Sequence, residues 1–102
     1  IEVKNVTAAV EAGVAVFPDA PSSRGVRHLE VLQRLVERGT GGMLVFCAQR
    51  SDVSEIRPAD AIDPAYGRAL RSAQHAGVAV IGVGASPDAT GIRVNRRIPV
   101  VT

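Results

Sequence analysis

The chain has 102 residues, with 12 Lys and Arg against 10 Asp and Glu and a formal net charge of +2; apolar residues make up 46% and charged residues 22%. These proportions fit one globular domain with one core and exclude a disordered tail, which needs low hydrophobicity and high net charge. No run of about 18 uncharged apolar residues exists to cross a membrane, and a single cysteine, Cys47, excludes an internal disulfide framework.

Residues 1–10 are rich in β-branched side chains and read as a strand, and residues 14–17 as a second; the Glu11-Ala12-Gly13 spacing between them suits a hairpin. The first residue is Ile inside that strand-like run, which implies a C-terminal piece of something longer, or a trimmed chain. Pro18 to Ser23 is a turn cluster ending with a hydroxyl suited to cap a helix. Residues 24–38 follow as an amphipathic helix, with Val26, Leu29, Leu32 and Val36 on one arc and Gly39 past its end. Residues 43–48 form a continuous apolar run, expected of a strand buried on both faces. Residues 49–60 read as a polar connection. Asp63 and Pro64 then mark a helix start, and residues 64–76 bury Tyr66, Ala69, Leu70 and Ala73 before Gly77. Residues 78–83 form another buried strand, Ser86-Pro87-Asp88 a loop, and residues 91–101 a final hairpin around Asn95-Arg96. Two strand–helix–strand units predict an α/β sheet covered by helices.

Four groups of residues could carry chemistry. Glu2 and Lys4 are two apart in a strand and project from one face. A carboxylate and an ammonium placed so suit metal-assisted phosphodiester hydrolysis: Glu2 to bind Mg²⁺, Lys4 to orient water or neutralise growing charge. The same pair is also the commonplace solvated ion pair of an exposed strand. Arg24, Arg27, Arg34 and Arg38 fall within about 80° of the helix circumference, opposite the apolar arc. They form either a stripe that tracks a nucleic-acid backbone or the ordinary solvated face of an amphipathic helix. His28 lies at the edge of the apolar arc, as a phosphate donor, an acid–base group or a packed imidazole. Gln49 and Arg50 close the buried strand, where polar residues suit a site in an α/β fold or begin an exposed loop. Asp19 and Asp52 are further carboxylates in turn-like sequence. Eleven of the twelve basic residues are Arg and only Lys4 is Lys. Arg suits phosphate forks, although a GC-rich coding sequence yields the same bias.

Several weaker signals drop out. Asn5-Val6-Thr7 is a glycosylation sequon without secretory context, and Gly82-Val83-Gly84 has no helix pattern after it. Cys47 has no Cys/His cluster around it for zinc, and aromatics are too few for base stacking.

Taken together, EVKNVT (2–7), FPDAPSSRG (17–25) followed by His28-Leu29, AQRSD (48–52) and AIDP (61–64) resemble the C-terminal part of the sugar fermentation stimulation protein family, SfsA, essentially end to end. That resemblance implies an α/β domain with a mixed β-sheet flanked by helices, on the PD-(D/E)xK (restriction-endonuclease-like) pattern, with Glu2 and Lys4 at the ExK positions. It implies that residues 1–102 are one C-terminal domain missing its first strands, and that the family's N-terminal OB-like domain is absent. It further implies a cytoplasmic DNA-binding protein involved in regulating sugar use, with no membrane partner. The alternative is an Mg²⁺-dependent endonuclease, with Glu2, Lys4 and Gln49 catalytic, Glu2 the metal ligand, and Arg24, Arg27, His28, Arg34 and Arg50 on the DNA. The superfamily site needs another acidic residue from a preceding strand. Asp19 belongs to the FPDA block and does not replace it. The chain alone is therefore expected to hold half of a metal site, and to be inactive and weakly folded unless its exposed strand pairs with another copy.

Overall fold

A computed structural model describes residues 1–6, 10–89 and 91–102. Its first strand, β1 (Glu2–Val6), alternates: Glu2 and Lys4 are half-buried and Val6 buried, while Val3 and Asn5 are exposed. The short β2 (Val10–Glu11) and β3 (Val14–Phe17) form an antiparallel hairpin. The turn between them places Ala12 and Gly13 at φ +52° and +81°, the two positive values that a tight hairpin turn demands. The expected hairpin thus exists, but its first arm is only β2, and β1 joins a different sheet. The middle of the expected 1–10 strand, residues 7–9, lies outside the described residues.

Helix α1 (Ser23–Glu37) starts where Ser22 accepts the Gly25 N–H at 2.9 Å. It buries Leu29 and Leu32 and packs Val26 and Val36 against the core, worth roughly 2 kcal/mol for each fully covered leucine. Strand β4 (Met43–Ala48) follows, with Leu44, Phe46 and Ala48 buried in register beside Glu2, Lys4 and Val6 of β1. Next comes β5 (Glu55–Pro58), inside the stretch expected to be an irregular connection. It pairs in parallel with β3, and Ile56 is fully buried. Only one side chain of β5 reaches the core, so the segment carries no apolar run to announce it.

Helix α2 (Pro64–Ala76) begins at Asp63, whose side chain accepts the Tyr66 N–H, and ends at Gly77 in the left-handed conformation. It packs against α1 and buries Tyr66, Leu70 and Ala73; Ala69 is partly buried against the same core. The last two strands, β6 (Ala79–Asp88) and β7 (Gly91–Ile98), pair antiparallel with each other. Here the structure differs twice from expectation. β6 runs on through the segment expected to be a loop; beyond Gly84 it has left β4 and pairs with β7 alone, so an edge position accommodates Pro87, which has no N–H to give. Residues 91–98 are one strand with no turn at Asn95-Arg96. After Ile98 the chain reaches the second sheet, where Val100 bridges Ile56.

The architecture is a four-stranded mixed sheet in the order β1-β4-β6-β7, and a three-stranded sheet in the order β2-β3-β5. β1, β4 and β6 are parallel, and helices supply the crossovers that such pairs require. None of the helices is long and apolar enough to cross a membrane.

Candidate functional site

The face of β1 that carries Glu2 and Lys4 meets the second turn of α1 at His28. Lys4 Nζ lies 3.0 Å from His28 Nδ1 and 3.2 Å from Glu2 Oε1, and His28 Nδ1 lies 3.3 Å from the same carboxylate oxygen. The three groups close a triangle. Lys4 is the most covered, with 18% of its side chain exposed against 35% for Glu2 and 33% for His28. The ammonium and the carboxylate cancel, so the triangle itself has no surplus charge to draw in an anion.

That surplus sits beside it. Arg24, Arg27 and Arg34 on α1 and Arg38 at its C-cap are all exposed, and among the described residues none of them has an ion-pair partner. Arg24 stands four residues before His28, one turn away on the same side. The stripe therefore meets the triangle at its Arg24 end.

Gln49 and Arg50 occupy another setting. With Lys4 in register with Phe46 and Val6 with Ala48, Gln49 lies about 10 Å further along the sheet than Lys4. It lines a hollow of about 380 Å³ with Asn5, Val6, Cys47 and Arg50. Asn5 and Cys47 alternate to the face opposite Glu2 and Lys4. The structure thus brings His28, and not Gln49, to the Glu2–Lys4 pair. Arg50 is engaged by Asp52 through two hydrogen bonds of 2.9 and 2.7 Å. Those bonds hold the Asp52 carboxyl below the usual carboxylate range and push the guanidinium up. Asp19 is exposed and distinct from this pair.

Three supporting residues were not legible as such. Tyr66 is wholly buried, its hydroxyl has no hydrogen-bond partner among the described residues, and burial, then the charges of Glu2 and Asp63, push it well above the ordinary tyrosine range. Asp63, read from sequence only as a cap for α2, also accepts the Ser22 N–H at 2.8 Å. Arg96 donates to the carbonyls of Arg50 and Val53 at 2.6 and 3.1 Å and so braces the loop after β4.

For a divalent cation, the donor set is incomplete. Among the described residues no group of three or more His, Cys, Asp or Glu converges on one point. Glu2 is the one carboxylate of the triangle, whereas hard cations take several oxygen ligands. These residues by themselves do not fit Mg²⁺ or Ca²⁺.

A mixed sheet that includes a Glu-x-Lys strand, backed by two packed helices, defines a nuclease-like α/β domain. Comparison with known proteins gives the same answer. The family model for the sugar fermentation stimulation protein RE domain matches residues 1–91. A sugar fermentation stimulation protein homolog of Halorhodospira halophila is 58% identical over 100 residues, covering 98% of this chain and 42% of that protein. The homolog of Geobacter sulfurreducens is 48% identical over 101 residues, covering 99% of this chain and 43% of its own length. The solved structure of Pyrococcus furiosus SfsA in complex with Ca²⁺ superposes with a TM-score of 0.88 at 31% identity, over 99% of this chain and 44% of that one. The chain belongs to the sugar fermentation stimulation protein family. It spans about two fifths of the length of the relatives it matches.

Proposed function

We propose that this chain is the phosphate-contacting part of a DNA-binding protein that acts in the regulation of sugar metabolism. The observation that carries the reading is a row of four exposed arginines, three on α1 and Arg38 at its C-cap, with no ion-pair partner among the described residues and with Arg24 one turn from His28 of the Glu2–Lys4–His28 triangle. A guanidinium with no internal partner breaks no protein contact when it turns to a phosphate, and its fork matches phosphate oxygens. Arg50 is a weaker contact on this reading, because a phosphate has to compete with Asp52 for it. The test is the salt dependence of binding in the full-length parent. Arg27→Glu/Arg34→Glu should weaken binding to duplex DNA and lower the slope of log affinity against log salt by about two. An unchanged slope would remove the stripe from the interface.

The triangle favours a second reading, an Mg²⁺-dependent endonuclease. Lys4, held between a carboxylate and an imidazole, is placed to offset charge gathering on a phosphate. The metal would supply Lewis acidity and a water of lowered pKa, with Glu2 as one ligand of a set that the described residues do not complete. Lys4→Ala in the parent should abolish DNA cleavage seen with Mg²⁺ or Mn²⁺ and absent with EDTA, while the arginine-borne, salt-dependent part of binding stays. Cleavage that survives the substitution places the chemistry elsewhere.

A further inference from the structure

We infer that Lys4 locks His28 in the tautomer whose Nε2–H points outward, and that this N–H is the directional donor to a nonbridging phosphate oxygen of DNA; the second half rests on the phosphate-contacting reading above. A lysine ammonium has three donors and no acceptor. At 3.0 Å from Lys4 Nζ, His28 Nδ1 must therefore offer its lone pair. In a neutral imidazole that leaves the ring proton on Nε2. Glu2 Oε1 is 3.3 Å from the same Nδ1, but the hydrogen bond at this atom is with Lys4. A proton on Nδ1 would face the hydrogens of the ammonium.

The rest of the geometry gives the outward N–H a use. A third of the His28 side chain is exposed, against 18% for Lys4, so the imidazole forms the rim of the site and the ammonium its floor. Among the described residues nothing accepts from Nε2. Arg24, one turn before, is exposed and unpaired. A phosphate that meets the stripe there finds unspecific charge from the guanidinium and one fixed donor from the imidazole. The division of labour is that the arginines attract, while His28, positioned by Lys4, sets where along the backbone the phosphate stops. Lys4 is in this respect a positioning residue.

Two measurements on the full-length parent test this. Long-range ¹H–¹⁵N correlation on histidine-labelled protein, at about pH 8.5 where histidine is neutral, reads the tautomer directly, with His28→Gln identifying the signal. The expected spectrum shows His28 protonated at Nε2, and Lys4→Met returns it to a tautomer mixture. Protonation at Nδ1, or the same mixture with and without Lys4, overturns the lock. Binding of a short DNA duplex reads the donor. His28→Asn keeps a polar group near Nδ1 and loses the Nε2 donor, and its affinity should fall about tenfold. His28→Gln keeps a donor near Nε2 and should stay within about twofold of wild type. Equal losses in both, or no loss in the Asn variant, overturn the donor role. A wild-type parent that binds no duplex at any salt sinks the phosphate-contacting reading and the contact with it, and the spectrum then separates that failure from a failure of the Lys4–His28 bond.

Discussion

Arg50 and Asp52 show how a pair of charged residues can be prominent in sequence and modest in effect. Their two hydrogen bonds lower the Asp52 carboxyl and raise the guanidinium, yet both side chains are about half exposed. Water screens such a pair, so its share of stability is small. Because the folded carboxyl is depressed, that share is fully present above the unfolded value near 3.8 and is lost as pH falls through the lower folded value. Urea midpoints of the wild-type parent and Asp52→Asn should differ slightly at neutral pH and converge in strong acid; midpoints that separate further in acid contradict this. The same reasoning ranks the arginines. Among the described residues those of α1 have no carboxylate to leave, so on the proposed DNA-binding reading they would be the better phosphate ligands, although nothing in the spacing of AQRSD distinguishes Arg50 from them.

At the scale of elements, one carboxylate governs two helices. Asp63 is 7% exposed; its Oδ1 accepts the Tyr66 N–H of α2 at 3.1 Å and its Oδ2 accepts the Ser22 N–H at the head of α1 at 2.8 Å. Asp63→Ala removes a helix cap and strands a second donor, so it should cost about 2 kcal/mol or more in the parent's urea unfolding. Ser22→Ala removes one cap and should cost about 1 kcal/mol. Equal losses would show that Asp63 serves one helix only. This coupling explains much of what the family blocks contain. In FPDAPSSRG, Phe17 packs on Phe46 and Tyr66 with ring centroids 5.3 and 5.4 Å away, and Ser22 caps α1. Gly25 leaves room for the Tyr66 ring, whose Cε2 would lie 2.9 Å from a β-carbon there. In AIDP, Asp63 and Pro64 start α2. These contacts fix the height and rotation of α1, the helix that brings His28 to Lys4.

Across the whole molecule, the two sheets and the last segment converge at Gly82. A β-carbon there would lie 2.4 Å from the Ile98 carbonyl oxygen, 3.0 Å from Val100 Cγ2 and 3.2 Å from Ile56 Cδ1. The first of these is backbone of the paired strand and cannot swing aside. Gly82→Ala should therefore destabilise the parent by about 1–3 kcal/mol, read from urea midpoints, and a neutral substitution would mean that β7 and the second sheet are not seated as described. The opposite face of the four-stranded sheet is less closely covered: Val3 is 58% exposed, and Val45 and Ile81 are partly so. Among the described residues β1 pairs only with β4. The face of β1 that carries Glu2 and Lys4 is turned to α1, where His28 meets them.

Local physics alone wrote both helices into the sequence. The 3.6-residue recurrence of Val26, Leu29, Leu32 and Val36, a hydroxyl at the end of the turn cluster, the cap at Asp63 and the glycines at 39 and 77 are short-range signals, and the observed ends fall within a residue of those read from them, with Ser22 one residue before the end of the cluster as the cap of α1. The apolar run 43–48 was as plain as a strand, although only Leu44, Phe46 and Ala48 on one face and Cys47 on the other are buried, and Met43 and Val45 are half-buried. Strand pairing was different. Backbone hydrogen bonds carry no side-chain signature, so only the folded chain decided that Glu2–Val6 leaves the hairpin for β4, that Glu55–Pro58 becomes a strand beside β3, and that residues 91–98 form one arm and not two. The site divides along the same line. Two-residue periodicity put Glu2 beside Lys4 in the sequence itself. The contact between Lys4 and His28, 24 positions apart, exists only because the packing of α1 on β1 rotates the imidazole toward the ammonium.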